Sequence, residues 1–357
     1  MAIRSRTVGL AACALALIVA TAASGNDSTA ELAAGGLVLT KNAAIEMRSE
    51  DLFISPNLVK VRYKFANTSA SDVTVTVAFP MPDITVEGVD DMLSIPTQDP
   101  LNILGFSTLV DGKPVTAQVE QKALKDGVDQ TAYLRSLGVP LAPHLQSTDD
   151  ALDRLPQAAR DELVAKNLAV VDEYGDSDST MHKHWVATWT LKTTYFWRQT
   201  FPAGRLLDVQ HSYTPSLGES AGTSWGSDAF AKDPGYAARR AHYCVDDDFL
   251  ASVRNTIKPG EQYSQMSEQR LEYILSSGAN WKSPIGDFRM VVDKGAAANL
   301  VSFCGAGVRK ISPTQFEVRH SNFTPTSDVS ILILLPPWKA SNYSVPGHGR
   351  PSVVQRG

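Results

Sequence analysis

The sequence is poor in cysteine, in excess positive charge and in long apolar runs. Of its 357 residues only 3 are cysteine, and none forms a CxxC pair, which excludes zinc-ribbon and thioredoxin-type motifs. The formal net charge is -5, so the basic surface that nucleic-acid binding requires is missing. HExxH, P-loop and dinucleotide-binding motifs are also absent. We therefore expect no cofactor and no nucleic-acid partner.

Residues 1–25 are organised like a Sec-type signal peptide. Arg4 and Arg6 precede an apolar run of about 13 residues, and small residues lead up to Gly25. The run is shorter than the roughly 20 residues of a membrane-spanning helix, and we predict no transmembrane segment. We expect cleavage near Gly25 and a periplasmic or secreted protein. The alternative, lipidation at Cys13, would leave a very short apolar region before the cysteine.

Cleavage at this place leaves Cys244 and Cys304 in the mature chain. An even pair of cysteines in an oxidising compartment is more often bonded than free. Neither has a second cysteine nearby that would indicate a metal or redox site. We predict a disulfide between them, which would close a loop of about 60 residues and stabilise the fold by roughly 4 kcal/mol in a chain-entropy estimate.

Apolar and polar residues alternate along many short segments, which is typical of half-buried β-strands. Residues 59–65 and 73–79 flank a turn-rich stretch, so we predict that they pair as an antiparallel hairpin. A second hairpin is predicted on either side of Asp111-Gly112. The fold class is mainly β with a helical insertion, built from antiparallel β-sandwich modules. Further strands are predicted at 184–191, 195–197, 207–213, 271–275, 288–292, 300–304, 315–320 and 330–335.

Two segments have helical features. Residues 147–171 follow helical spacing, and Pro156 must lie in a first turn or divide two helices. Residues 247–257 form a second predicted helix, whose N-terminus would meet the acidic run 246–248; the same carboxylates could alternatively bind calcium. These patterns divide the chain into a signal peptide (1–25), an N-terminal β-sandwich (26–135), a helical insertion (136–180), a C-terminal β-rich domain (181–340) and a flexible tail (341–357).

Six motifs spread over the mature chain carry a resemblance to known proteins. They are NDSTAEL (26–32), IEMRSEDLFIS (45–55), VAFPMPD (77–83), WRQTFPAG (197–204), YCVDDDF (243–249) and PIGDF (284–288). Together they resemble DUF4424, a bacterial family of exported proteins of unknown function. The resemblance implies export, but it implies no activity.

A second resemblance covers residues 58–133. It rests on Phe65 and Asn67, the motif FPMP at 79–82, the motif DGKPV at 111–115, the motif EQKA at 120–123 and Tyr133. These features are similar to the VIT domain, a β-sandwich often found beside von Willebrand A domains, and they imply a VIT-like sandwich within 26–135. The chain has no Asp-x-Ser-x-Ser motif, so metal-dependent adhesion is not implied.

Residues 218–222 match the G-x-S-x-G motif, in which the serine is a nucleophile when a sharp turn leads from a strand into a helix. Pro215 lies just upstream, and the Gly/Ser-rich stretch downstream is a poor helix start. We therefore interpret Ser220 as a residue of a flexible loop. A hydrolase that uses Ser220 is the alternative.

His182 and His184 lie on one face of a predicted strand and could share a metal ion with Asp176 or Asp178 as the third ligand. We favour the simpler interpretation that both histidines lie on a solvent-facing strand. On that interpretation the chain holds no metal.

Trp185, Trp189 and Trp197 are candidate binding residues, because indole rings offer a flat surface to a sugar or a hydrophobic partner. Trp185 and Trp189 also share a strand face with Ala187 and Leu191. That pattern favours a place in the core over a binding surface.

The sequence supports two functional hypotheses. The favoured one is a non-enzymatic exported protein that binds a cell-envelope component, either a protein or a glycan, through its sheet edges and loops. The alternative is a periplasmic hydrolase that uses Ser220 or a metal site at His182 and His184. A hydrogen bond between Ser220 and a histidine, or a carboxylate converging on the two histidines, would favour the enzyme.

Overall fold

The computed structural model describes residues 26–33, 36–89, 92–175 and 180–337. The predicted signal peptide and tail, and the proposed ligands Asp176 and Asp178, lie outside these ranges.

In chain order the strands are β1 Ser28–Ala33, β2 Gly36–Thr40, β3 Ile45–Ser55, β4 Leu58–Asn67, β5 Val73–Pro80, β6 Ile84–Thr85, β7 Leu93–Ser94, β8 Ser107–Val110, β9 Lys113–Val115, β10 Gln118–Lys125, β11 Val128–Asp129, β12 Ala169–Gly175, β13 Met181–Ala187, β14 Thr190–Phe201, β15 Leu206–Tyr213, β16 Leu217–Ser220, β17 Ser267–Tyr273, β18 Ile285–Asp293, β19 Leu300–Phe303, β20 Arg309–Lys310, β21 Gln315–Phe323 and β22 Val329–Leu335.

The helices are short and lie between the strands. They are α1 Thr131–Ser136, α2 Gln146–Asp153, α3 Gln157–Ala165, α4 Tyr236–His242 and α5 Asp247–Arg254, with 3-10 turns at Phe230–Lys232 and Ser276–Asn280. Among the described residues, no helix is both long enough and apolar enough to cross a membrane.

The strands in the described ranges form three large sheets and one hairpin. Sheet one has the order β11-β10-β14-β5-β1-β2, with β6 beside β14, and sheet two has the order β20-β21-β18-β3-β4-β15-β8-β9. Sheet three has the order β19-β22-β17-β16-β7, and β12 pairs with β13. Between the strands named above, all pairings are antiparallel except that of β18 with β3. The predicted fold class, mainly β with antiparallel sheets, is confirmed.

The first predicted hairpin is wrong, although both of its strands exist. β4 pairs with β3 and β15 in sheet two, whereas β5 pairs with β1 and β14 in sheet one. The chain crosses between the sheets at Asn67, whose side-chain amide donates to the carbonyls of Ser71 and Phe201 at 2.8 Å each. The alternation of apolar and polar residues shows that each strand buries one face. Two paired strands of one sheet and two strands of facing sheets both produce this pattern, so it does not show which strands pair.

The second predicted hairpin is confirmed. β8 and β9 pair across Asp111-Gly112, where φ is 48° and 74°. Two successive positive φ angles are what a tight two-residue hairpin turn requires, and Asp-Gly is among the sequences that best tolerate them.

The predicted helix over 147–171 is divided. α2 ends at Asp153 and α3 begins at Gln157, so Pro156 separates two helices, and residues 169–175 form β12 instead. The helix predicted from Asp247 exists as α5. The side chain of Asp246 accepts the backbone N–H of Phe249 at 2.7 Å, so the acidic run caps a helix.

Strands on either side of the helical segment pair with one another. β14 lies between β10 and β5 in sheet one, and β18 lies beside β3 in sheet two. Strands that precede residue 136 and strands that follow residue 180 therefore share these two sheets.

The main core lies between the facing sheets. Alternate residues of β4, among them Tyr63 and Phe65, are buried, as are the alternate residues of β14 that include Trp197. Phe65 of sheet two packs edge-on against Phe201 of sheet one, with ring centres 5.7 Å apart. The aromatic and β-branched residues of both sheets thus fill one interior.

A smaller apolar cluster forms where α5 covers sheet three. Phe249, Leu250 and Val253 of α5 pack with Leu332 and Leu334 of β22. The indole of Trp225 completes the same cluster. This packing fixes the loop from β16 to α4 against sheet three, where the candidate site lies.

Candidate functional site

A cleft of about 440 Å³ opens beside the end of β16; we call it the Trp225 cleft. Its volume lies in the range of small-molecule sites, which is about 300–1,000 Å³. Three elements build it: the paired strands β16 and β17, the loop after β16, and α4 with the residue after it. Its lining consists of Ser220, Gly222, Ser224, Trp225, Phe230, Arg239, His242, Tyr243, Glu268 and Arg270.

Aromatic rings form one part of the lining. Trp225 is buried, with 2% of its surface exposed, because it belongs to the cluster under α5. Phe230 packs edge-on against Trp225 with ring centres 5.5 Å apart, and Tyr236 contacts both rings. The rings hold one another in place and give the cleft a rigid apolar side.

Charged groups form the other part. Arg270 donates to Glu268 at 2.7 Å, and the second oxygen of Glu268 accepts the hydroxyl of Thr223. The guanidinium of Arg239 lies 4.1 Å from the centre of the Phe230 ring and 3.3 Å from Asp233. The lining therefore contains two guanidinium groups and one carboxylate, and each guanidinium group contacts a carboxylate.

Tyr243 joins the cleft to the only disulfide among the described residues. Burial, with a smaller effect from the charge of Glu272, raises the pKa of Tyr243 to about 12, so its hydroxyl stays neutral. Cys244 is the next residue and is bonded to Cys304, with Cα atoms 5.1 Å apart. The structure thus contains the disulfide that the sequence predicts, and the bond ties the end of α4 to the end of β19.

The structure places Ser220 at the end of a strand, so the prediction of a loop is wrong at this residue. Ser220 pairs with Glu268 of β17, so β16 is part of sheet three as far as Ser220. The Gly/Ser-rich composition of this segment does not indicate that it pairs with a strand. Its hydroxyl donates to the carbonyl of Gly222 at 2.6 Å. No helix begins directly after it, and within the described ranges no histidine is hydrogen-bonded to Ser220. The nucleophile geometry of a G-x-S-x-G turn is not formed.

His182 and His184 lie on β13, and Tyr174 of β12 stacks on both rings. His184 binds Asp153 of α2 through Nδ1 at 2.6 Å and the Tyr174 hydroxyl through Nε2 at 2.9 Å. Both ring nitrogens of His184 are therefore occupied by protein groups. No group of three metal-ligating side chains occurs in the part of the chain that the structure describes.

The three candidate tryptophans are buried rather than displayed. Trp189 and Trp197 are 1% and 4% exposed, and the Trp189 indole donates to the carbonyl of Leu141 at 2.8 Å. Trp185 is 9% exposed and lies under the guanidinium of Arg160, 4.0 Å away. These rings fill the core and so do not form an aromatic binding surface.

A buried polar cluster lies deep between the sheets, apart from the cleft. His211 binds Thr108 through Nδ1 at 3.0 Å and both carboxylate oxygens of Asp27 through Nε2 at 3.1 Å. The hydroxyl of Tyr63 donates to Asn26 and lies 3.2 Å from that of Tyr273. Burial raises the pKa of both tyrosines well above the usual value. The members of this cluster are Asn26, Asp27, Glu50, Tyr63, Thr108, His211 and Tyr273.

Sequence reasoning missed most residues of the Trp225 cleft. Arg239 and Arg270 lie on separate elements, and no motif or spacing connects them. Tyr243 is the exception, because it precedes Cys244. A residue next to a predicted disulfide is held in a fixed position, and this is a weak indication of a functional role.

Fold and site define a strand-rich protein with a small, partly basic cleft at the edge of one sheet. The family model for DUF4424, a domain of unknown function, matches residues 25–332. The chain therefore belongs to the DUF4424 family, as its motifs predict.

Comparison with individual proteins adds little. No curated protein matches the chain in sequence. One similar solved structure is that of lpg2210 from Legionella pneumophila subsp. pneumophila str. Philadelphia 1, provisionally named a nutrient binding protein. The two are 14% identical, with a TM-score of 0.40, and the match covers 87% of this chain and 70% of the other.

Proposed function

We propose that this protein is an exported, non-enzymatic binding protein whose Trp225 cleft binds an acidic sugar of the cell envelope. The observation that carries the proposal is the composition of the cleft. The half-buried ring of Phe230, held in place by the buried Trp225, lines the cleft together with Arg239 and Arg270. Aromatic rings pack against the apolar face of a sugar, and guanidinium groups bind its carboxylate or phosphate.

The Arg239 guanidinium is oriented before any ligand arrives. Its contacts with Phe230 and Asp233 restrict the side chain, so binding an anion costs less conformational entropy than it would for a free arginine. Asp233 is 45% exposed and neutralises only part of this charge.

Export is the second half of the proposal. The charged start, apolar run and small residues of 1–25 support it, and so does the Cys244–Cys304 disulfide, because such bonds persist in oxidising compartments. We place the mature protein in the periplasm or outside the cell.

Calorimetric titration of the purified mature protein tests the binding. We expect glucuronate and glucose 6-phosphate to bind, and neutral glucose to bind at least about tenfold more weakly, because one charge-assisted hydrogen bond contributes about 1.5–3 kcal/mol. Arg239→Gln should weaken binding of both acids about tenfold. Arg154→Gln, at the end of α2 and outside the cleft, is the matched control and should bind like wild type.

The binding proposal fails if neither acidic sugar gives a measurable heat of binding. It also fails if Arg239→Gln binds both acids as tightly as wild type. Cell fractionation tests export separately, and recovery of the full-length chain from the cytoplasm alone would contradict that half.

A further inference from the structure

The buried polar cluster contains two carboxyl groups, those of Asp27 and Glu50, and one imidazole, that of His211. Asp27 is paired with His211, and both residues have 0% exposure. Glu50 is 1% exposed and lacks such a partner. Its Oε2 accepts the side-chain amide of Asn26 at 2.9 Å, and its buried Oε1 has no hydrogen-bond partner among the described residues. A buried carboxylate oxygen without a partner is strongly unfavourable.

Asn26 is fully buried within this cluster. Asn26 has 0% exposure, and its backbone nitrogen and carbonyl are both hydrogen-bonded to the hydroxyl of Ser277. Gly278 lies against it, and a Cβ atom there would be 2.7 Å from the side-chain nitrogen Nδ2 of Asn26. The buried backbone nitrogen of Asn26 thus belongs to the residue whose side-chain amide contacts the Glu50 carboxylate.

This nitrogen lies at the predicted cleavage point. Ala23 and Gly25 are small residues at the positions that signal peptidase reads, and Asn26 is the next residue. Cleavage there would turn the backbone nitrogen of Asn26 from an amide with one donor into an ammonium with three.

We propose that cleavage after Gly25 supplies the missing cation, and that the α-ammonium group of Asn26 is the ionic partner of Glu50 in the mature protein. The proposal uses the export half of the proposed function and is independent of ligand binding. Its consequence is that the core is completed only after processing.

The chemistry is a peptide-bond hydrolysis by the cell's signal peptidase. Water adds its hydroxyl to the Gly25 carbonyl carbon, the bond from that carbon to the Asn26 nitrogen breaks, and the nitrogen takes a proton. The new Gly25 carboxyl then releases a proton and the amine binds one. The products are a carboxylate on the signal peptide and an ammonium on Asn26.

The surroundings of Glu50 fit this assignment. Burial raises the pKa of Glu50 to about 8 while the Asn26 nitrogen is still an amide, and the carboxylate of Asp27 contributes in the same direction. The other titratable groups that face this region are His211, Tyr63 and Tyr273. His211 is already paired with Asp27, and the two phenols are neutral. None of them supplies a cation to Glu50.

The first experiment compares two forms of the mature chain. One begins at Asn26, and the other keeps a single glycine before Asn26, which restores the amide. We expect Glu50→Gln to lower the Tm of the first form by at least about 2 °C, because an ion pair is lost. In the second form it should leave the Tm unchanged or raise it, because a buried carboxyl group without an ionic partner is removed.

Glu46→Gln is the matched control, since Glu46 lies on the same strand and is bound by Arg48 and Lys282 at the surface. It should shift both forms equally. An equal effect of Glu50→Gln on the two forms would overturn the proposal. N-terminal sequencing of exported protein that finds a first residue other than Asn26 would overturn it as well, whatever the cleft binds.

A second measurement needs no variant. The exported protein is treated with an amine-acylating reagent in buffer and in urea, and labelling is quantified by peptide mass spectrometry. We expect the α-amine of Asn26 to be protected at least about tenfold in the folded protein relative to exposed Lys60, and to lose that protection in urea. Equal labelling of the two amines in buffer would contradict a buried ammonium group.

Discussion

Cys244, the residue after Tyr243 of the Trp225 cleft, is bonded to Cys304 across a sequence separation of 60 residues. Next to the bond, the hydroxyl of Ser302 donates to the carbonyls of Tyr243 and Cys244, at 2.9 and 3.2 Å. These contacts attach the end of α4 to sheet three. The position of one side of the cleft thus depends on a covalent bond outside it.

We predict that removal of the disulfide destabilises the protein and loosens the cleft. The double variant Cys244→Ser/Cys304→Ser should lose about 2–5 kcal/mol of unfolding free energy, because the unfolded chain regains the entropy of an open loop. Urea unfolding measures the loss, and non-reducing peptide mapping of wild type should recover the linked pair. Two free thiols in protein isolated from the periplasm would contradict the bond.

Sequence patterns predicted the features that depend on neighbouring residues. The Asp111-Gly112 hairpin and the cap of α5 at Asp246 are local, because each is specified by a few adjacent side chains. The alternation of apolar and polar residues predicted the positions of β4 and β5 in the chain. It did not predict which strands they pair with, since strands from facing sheets bury one face in the same way. Partner choice depends on the whole core, which a single strand does not encode.

The sites depend on contacts over long sequence distances. Asn26 meets Ser277 across 251 residues, and Arg270 reaches the cleft only because β17 pairs with β16. Neither juxtaposition has a periodic or motif signature. The Ser220 motif was visible in the sequence, but a nucleophile also requires a helix directly after the serine, and here the strand ends without one.

A second prediction concerns acid stability at the outer part of sheet two. Glu317 accepts hydrogen bonds from Arg289 at 2.8 Å and Arg309 at 2.6 Å, and Arg319 lies 3.2 Å away. These contacts, with Arg289 foremost, lower the pKa of Glu317 from 4.5 to about 2. As pH falls, Glu317 is therefore protonated in the unfolded state before it is protonated in the folded state. The stability that the ionised Glu317 contributes is present above pH 4.5 and is lost towards pH 2.

Urea midpoints at about pH 7, 4 and 3 test this expectation. Wild type should lose stability across the acidic window, and Glu317→Gln should lose less, because its side chain does not titrate. The exposed residue Glu31 serves as control, and Glu31→Gln should behave like wild type. An acid profile of Glu317→Gln that is parallel to that of wild type would refute the assignment.

A third prediction concerns Gly278, which packs against Asn26. Gly278→Ala should destabilise the protein by about 1–3 kcal/mol, because the added methyl group would lie 2.7 Å from the side-chain nitrogen Nδ2 of Asn26 in a filled interior. Gly88→Ala is the control, since a Cβ there meets nothing within 4 Å. Thermal unfolding of both variants is the measurement. A Tm of Gly278→Ala equal to that of the control would mean that residue 26 is not tightly seated.

The last prediction is that Ser220 has no catalytic role. Its hydroxyl is bound to the Gly222 carbonyl at 2.6 Å, and the nearby His242 is bound to Glu272 at 3.2 Å, so no base is in place to activate the serine. Ser220→Ala should change the unfolding free energy by no more than about 0.5 kcal/mol, as for a surface substitution. A fluorophosphonate probe should label neither wild type nor variant. Labelling of wild type that disappears in Ser220→Ala would replace the binding function with a serine hydrolase.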